Sequence, residues 1–288
     1  MRTEQEMLSL ITEVARSDEN IRAAYLEGSR VNPAVPRDIF QDYDVVYVVN
    51  STLPYREDRT WIDRFGERLY MQYPEDNVFY PSDVENCYGW QIQFADGNRL
   101  DLHACTMFYV KDSLELYRIL ADKDGLLPPP AETNDGRYWV KRPREEEFQS
   151  SRSDFWWCLN NVAKGLWREE LPYAMDMLNE VLRPELVRQL GWKVGMEQGF
   201  SVSIGKSGKY LKNYLSPEAY TRFLATYPPA ETNAVWEAVF TMCALFRETE
   251  EALCRTLGFS CDDTLAENSL RFLRHVHRLP RDAKEICP

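Results

Sequence analysis

The sequence predicts an α+β protein, on three observations. Apolar, strand-like runs lie in the first half, from Ile21 to Cys105; helical periodicity takes over from Pro143; and a stretch rich in Pro, Gly, Asn and Asp from Leu126 to Gly136 separates them. At 288 residues the chain is long enough to bury two cores rather than one, so the expected domains are 1–135 and 136–288.

Taken in order, Met7, Leu8, Leu10, Ile11, Val14 and Ala15 recur at helical spacing and predict an amphipathic first helix over 4–16. The apolar run 21–27 predicts a strand, and Gly28-Ser29 ends it. Pro33 and Pro36 make Val31 to Gln41 a loop. The nearly unbroken apolar run 43–49 predicts a strand buried on both faces at the centre of the sheet. A helix is expected over 59–70, a short strand at Val78 to Tyr80, and a hairpin from the alternating runs Gly89–Ala95 and Arg99–Cys105 around Asp96-Gly97-Asn98. Residues 111–121 predict a further helix. Beyond the linker, Phe148, Phe155, Leu159, Val162 and Leu166 form one buried helical stripe, with Asn161, Lys164 and Arg168 on another face. Later helices are expected at about 172–190, 216–226, 231–257 and 264–278.

The candidate chemistry sits around two short words. Asp42 and Asp44 are two apart, so on a strand they project from the same face. Two carboxylates side by side need a counter-charge, and a divalent magnesium ion, which prefers oxygen ligands, supplies it. Gly28 lets backbone N–H groups approach an anion and the Ser29 hydroxyl adds a donor, so phosphate on one side and metal on the other describe a nucleotide-triphosphate site. Arg30, next in line, is a further candidate phosphate contact.

Gly-Ser followed about a dozen residues later by Asp-x-Asp on a strand resembles the signature of the DNA polymerase β-like nucleotidyltransferases. Within that superfamily the chain is similar to the aminoglycoside 6-adenylyltransferases, the streptomycin adenylyltransferases of bacteria. The words that carry the likeness are Glu27-Gly28-Ser29-Arg30, Phe40-Gln41-Asp42-Tyr43-Asp44, Arg99-Leu100-Asp101-Leu102, Tyr117 to Asp124, Val162 to Arg168 and Gly191-Trp192-Lys193-Val194-Gly195. The resemblance implies a mixed sheet flanked by helices in an N-terminal nucleotidyltransferase fold, with a C-terminal α-helical bundle closing over it. It also implies a third carboxylate from a neighbouring strand, Asp101, which would join Asp42 and Asp44 as metal ligands and catalytic groups; two magnesium ions and ATP; and Lys164 and Arg168, four apart on one helix face, as nucleotide-phosphate cations. The implied reaction moves AMP from ATP to the 6-hydroxyl of streptomycin with release of pyrophosphate, and so confers antibiotic resistance. The alternatives are another small-molecule, protein or tRNA acceptor, or a degenerate member that only binds nucleotide.

Composition limits the partners. With 34 basic and 46 acidic residues the net charge is −12, which repels polyanions and attracts polycations, so nucleic acid is a poor partner and a cationic aminoglycoside a suitable one. An acidic start and the lack of any apolar run long enough for a membrane span predict a cytoplasmic protein, with a monomer favoured. Seven cysteines without a Cys-x-x-Cys suggest buried thiols rather than a disulfide framework or a zinc site. Gly205-Lys206-Ser207-Gly208-Lys209 is not a P-loop, because position 200 is Phe. For the drug pocket, Asp83, Glu85, Trp156, Trp157 and Trp192 are candidates, since protonated amines favour carboxylates and aromatic faces.

Overall fold

A computed structural model describes residues 1–130 and 134–286. Part of the expected linker, 131–133, therefore lies outside the described residues, as does Cys287. The chain divides into two compact units, Met1–Arg137 and Tyr138–Pro288.

The first unit is a six-stranded mixed sheet with helices. It opens on α1 (Glu4–Ser17), started by a capping box in which the Thr3 hydroxyl accepts from the Glu6 N–H while the Glu6 carboxylate accepts from the Thr3 N–H. The strands are β1 (Ile21–Glu27), β2 (Tyr43–Val49), β3 (Arg68–Gln72), β4 (Cys87–Phe94), β5 (Arg99–Thr106) and β6 (Arg118–Asp122). Their order is β3-β4-β5-β2-β1-β6, with β2 and β5 parallel and every other neighbouring pair antiparallel. The expected centrality of 43–49 holds, because β2 has a partner on each edge. Two short helices, α2 (Leu53–Glu57) and α3 (Met107–Ser113), complete the unit.

The strand alternation divides the unit into two apolar layers. One face of the sheet sends Leu26, Tyr43, Val45, Tyr47, Leu100 and Leu102 against Met7 and Ile11 of α1 and against Trp61 and Phe65. The other face packs Tyr25, Val46, Val48 and Cys105 against Val110, Tyr117 and Leu127. At the near end of β1, β2 and β5 this second face carries carboxylates instead, and it is there that the site is built.

Three expectations for the first unit fail. Residues 59–70 form only a short 3-10 turn, Trp61–Phe65, before β3 pairs with β4; a cross-strand ladder wins over the helical pattern. Val78, Phe79 and Tyr80 form no strand and stand exposed. Residues 111–121 hold the end of α3 and then β6, which pairs with β1, so one expected helix is a helix and a strand. The β4–β5 hairpin forms as expected, but only Gly97 of its turn has positive φ, at 89°.

The described part of the second unit consists of helices and loops. These are α4 (Glu145–Trp167), α5 (Leu171–Asp176), α6 (Arg183–Glu197), α7 (Pro217–Leu224), α8 (Thr232–Leu257) and α9 (Thr264–Arg278). The predicted stripe on α4 is buried throughout, with Phe155 stacked on Phe246 of α8 at 3.7 Å between centroids. The expected helix at 172–190 is broken by a π-helical turn, Met177–Leu182, just before Pro184, whose ring has no N–H to give and would crowd the carbonyl four residues back. Arg152 and Glu250 form a buried pair at 2.9 Å, and the Trp156 indole donates to the same carboxylate at 3.0 Å. Cys254 and Cys261 are bonded as a disulfide between the end of α8 and the loop before α9, a bridge that the sequence does not suggest; Cys87, Cys105 and Cys243 are buried thiols. Among the described residues no helix is long and apolar enough to cross a membrane.

Leu102 is fully buried between β2 and β4 in the α1-facing layer. Leu102→Ala is expected to destabilise the protein by about 3 kcal/mol through lost burial and the cavity left behind, read as a lower urea midpoint.

Candidate active site

The register of the sheet assembles the site. Asp44 on β2 lies opposite Glu27 on β1 and beside Asp101 on the parallel strand β5, and Asp101 in turn lies opposite Gln91 on β4. One lateral row thus carries three carboxylates, with Asp42 two residues before Asp44 on the same face. One oxygen from each of Asp42, Asp44 and Asp101 lies within 4.8 Å of the others. The three aspartates singled out in the sequence converge.

The turn after β1 is shaped around this row. Gly28 has φ of +70°, and a Cβ built on it would meet Asp44 Oδ2 at 1.9 Å, so only glycine lets the carboxylate rest against the chain. The Ser29 hydroxyl oxygen is buried and has no hydrogen-bond partner among the described residues. Arg30 takes another direction. Its Nε donates to the Asp42 carbonyl at 2.8 Å, its Nη2 to the Gln41 carbonyl at 2.7 Å, and its guanidinium lies 3.7 Å over the Tyr43 ring. In this arrangement Arg30 fixes the loop that presents Asp42.

Like charges in a half-buried row raise the cost of ionisation. Burial, and then the charges of Asp42, Asp101 and Glu27, push Asp44 up to about 7. Burial, and then Glu115, push Glu27 up to about 7 as well. Against them stands Arg99, the first residue of β5, whose Nε and Nη2 donate to the two oxygens of Asp101 at 2.9 and 2.6 Å and whose Nε lies 3.7 Å from Asp42. The Gln91 amide adds a long contact to Asp101 at 3.5 Å. Glu27 and Arg99 were not singled out from the sequence as site residues. Glu27 reads there as the polar end of a strand, although its place directly before Gly28 is a signal. Further along the same face His103 Nε2 lies 3.9 Å from Glu75.

Lys164 and Arg168 belong to the second unit. Lys164 Nζ donates to Asn161 at 3.0 Å and Arg168 lies 3.9 Å from Glu170; both line a hollow of about 270 Å³ with Trp167 and Phe272. Of the aromatic pocket candidates, Trp156 and Trp192 are buried in the core, and only Trp157 is exposed. Glu85 is paired with Arg56 at 2.6 Å.

An all-oxygen carboxylate cluster beside a glycine-serine bend, on a mixed sheet, is an arrangement that suits nucleotidyl transfer. The family model for streptomycin adenylyltransferase matches residues 1–276, and the chain belongs to that family. The chain is 38% identical over 267 residues to an aminoglycoside 6-adenylyltransferase of Bacillus subtilis (strain 168), covering 91% of this chain and 94% of that one. It is 36% identical over 251 residues to an aminoglycoside 6-adenylyltransferase of Staphylococcus aureus, covering 86% and 89%. A crystal structure of an aminoglycoside 6-adenyltransferase from Bacillus subtilis is 33% identical and covers 97% of this chain and all of that one, with a TM-score of 0.49.

A carboxyl with a raised pKa holds its proton in the fold, so between about pH 4 and about pH 7 the folded state binds more protons than the unfolded one. Stability from Asp44 and Glu27 is therefore greatest below that window and is lost as the pH rises through it. Metal-free protein is expected to melt on the order of 5 °C lower at pH 8 than at pH 5. Asp44→Asn should flatten that slope, as followed by thermal melting with a chelator present.

Proposed function

We propose that this protein transfers AMP from ATP to the 6-hydroxyl of streptomycin, releasing pyrophosphate, and so confers resistance to the drug. The observation that carries this reading is the convergence of Asp42, Asp44 and Asp101 beside the Gly28-Ser29 bend. The relatives named aminoglycoside 6-adenylyltransferase supply the acceptor, and a net charge of −12 suits a polycationic one.

The three aspartates fit magnesium, since their ligand atoms are hard oxygens close enough to share ions. When bound, two magnesium ions would neutralise the phosphates and make the acceptor hydroxyl more acidic. Asp44 on β2 and Asp42, just before that strand, would hold them, and Asp101 would either join them on the acceptor side or take the hydroxyl proton. In the transfer, the hydroxyl oxygen forms a bond to the α-phosphorus, the bond from that phosphorus to the bridging oxygen of pyrophosphate breaks, and the hydroxyl proton leaves to a base. The Ser29 hydroxyl, buried without a partner among the described residues, is assigned to a phosphate oxygen. Lys164 and Arg168 are assigned to the nucleotide phosphates on the strength of their charge and family resemblance. The protein is assigned to the cytoplasm, where ATP is supplied, acting as a monomer.

Purified protein with magnesium, ATP and a panel of aminoglycosides is expected to release pyrophosphate with streptomycin; no release with any aminoglycoside would overturn the reading. Asp42→Asn should lower kcat by about a thousandfold or more, the loss expected when a ligand of a catalytic ion is removed, while its circular dichroism stays native. Gly28→Ala, which drives a methyl group into the Asp44 carboxylate, should lower kcat by about a hundredfold or more, as misplacing a catalytic group does, in the same assay.

A further inference from the structure

Among the described residues, the cation paired with two of the three aspartates is the Arg99 guanidinium. Its two-pronged grip takes both oxygens of Asp101, at 2.9 and 2.6 Å, and its Nε stands 3.7 Å from an oxygen of Asp42. Those two carboxylates belong to the set whose oxygens lie within 4.8 Å of one another. Arg99 therefore stands on the ligand atoms that a divalent ion would take. Its side chain is 47% exposed while that of Asp101 is 11% exposed, so the carboxylate sits within the sheet and the guanidinium has solvent on its outer side.

We propose that Arg99 is the resident counter-cation of the carboxylate cluster, competing with metal for Asp101 and Asp42 and, once displaced, grasping the polyphosphate of the nucleotide. This inference rests on the metal-dependent reading of the site given above. An arginine cannot give up its charge in a protein, so the exchange at Asp101 is cation for cation, with no proton to supply or remove. Solvent screens a half-exposed pair, so loosening the grip is easy. The freed fork matches two oxygens of a phosphate as well as it matches two of a carboxylate. Arg99 then serves twice: it holds the acidic row together before metal enters, and it makes nucleotide binding depend on metal, because only the displaced side chain can reach for phosphate.

The test is a calorimetric titration of manganese, as a probe for the divalent ion, into nucleotide-free wild type, Arg99→Gln and Arg99→Lys, with circular dichroism to confirm the fold. Removal of the competing charge in Arg99→Gln should tighten manganese binding about tenfold. Arg99→Lys keeps the charge without the fork, so its affinity should fall between the two. With metal saturating, the KM for ATP should rise about tenfold in Arg99→Gln, while the KM for the aminoglycoside stays within about twofold. Manganese affinity unchanged or weakened in both variants overturns the assignment of Arg99, even where the wild type adenylylates its drug. A wild type that binds no divalent ion overturns the assignment together with the reading of the site.

Discussion

Everything at this site depends on keeping like charges together. Glu27, Asp44 and Asp101 stand in one row across three adjacent strands, with Asp42 on the same face, and burial removes much of the water that would screen them. On its own such a row pushes its strands apart. What resists is the sheet beneath, where β2 is bonded on both edges and the residues of the opposite face, Val45, Leu100 and Leu102 among them, are buried against α1. The destabilisation is on the order of a few kcal/mol, and a buried apolar layer of this extent can absorb it. The protein gives up some stability where it needs negative charge and recovers it one layer away.

The bend that follows β1 shows how closely sequence and site are tied. Within the word Glu27-Gly28-Ser29-Arg30 each residue answers a different physical need. Gly28 makes room for the Asp44 carboxylate, Ser29 holds a hydroxyl without a partner among the described residues, and Arg30 grips the carbonyls of Gln41 and Asp42 while lying on the Tyr43 ring. The loop from Val31 to Gln41 is thereby tied at both ends of its span, and Asp42 is presented by a fixed backbone rather than by a loose strand end. Pre-organisation of this kind is what the proposed role of Asp42 as a metal ligand requires.

Much of this was legible in the sequence, and the exceptions have causes. The aspartates could be found because strand periodicity fixes which neighbours share a face, and the Asp-Gly turn fixes which strand follows which. That the strand carrying Asp101 neighbours β2 is implied only by family resemblance, and the parallel direction of the pairing is not legible at all, since no local pattern encodes a pairing across fifty residues of chain. Edge strands β3 and β6 were missed because each has one neighbour and a mixed, half-exposed surface, so their alternation is weak and competes with helical spacing. Arg30 reads as a phosphate ligand beside Gly-Ser until the coordinates show its guanidinium turned inward. The Cys254–Cys261 bridge escaped because an odd count of cysteines says nothing about any one pair.

Charge balance explains why acidity, metal and nucleotide belong together. The three converging aspartates set against Arg99 leave a net negative cluster, and a nucleotide triphosphate would be repelled from it. Two divalent ions would reverse the sign, so that the same face attracts polyphosphate. The acceptor has the opposite requirement, since a polycation is drawn by the negative field of the whole chain whatever the state of the site. One electrostatic design therefore suits both substrates: a net-acidic chain for the cation, and a small patch whose sign would change with metal for the anion.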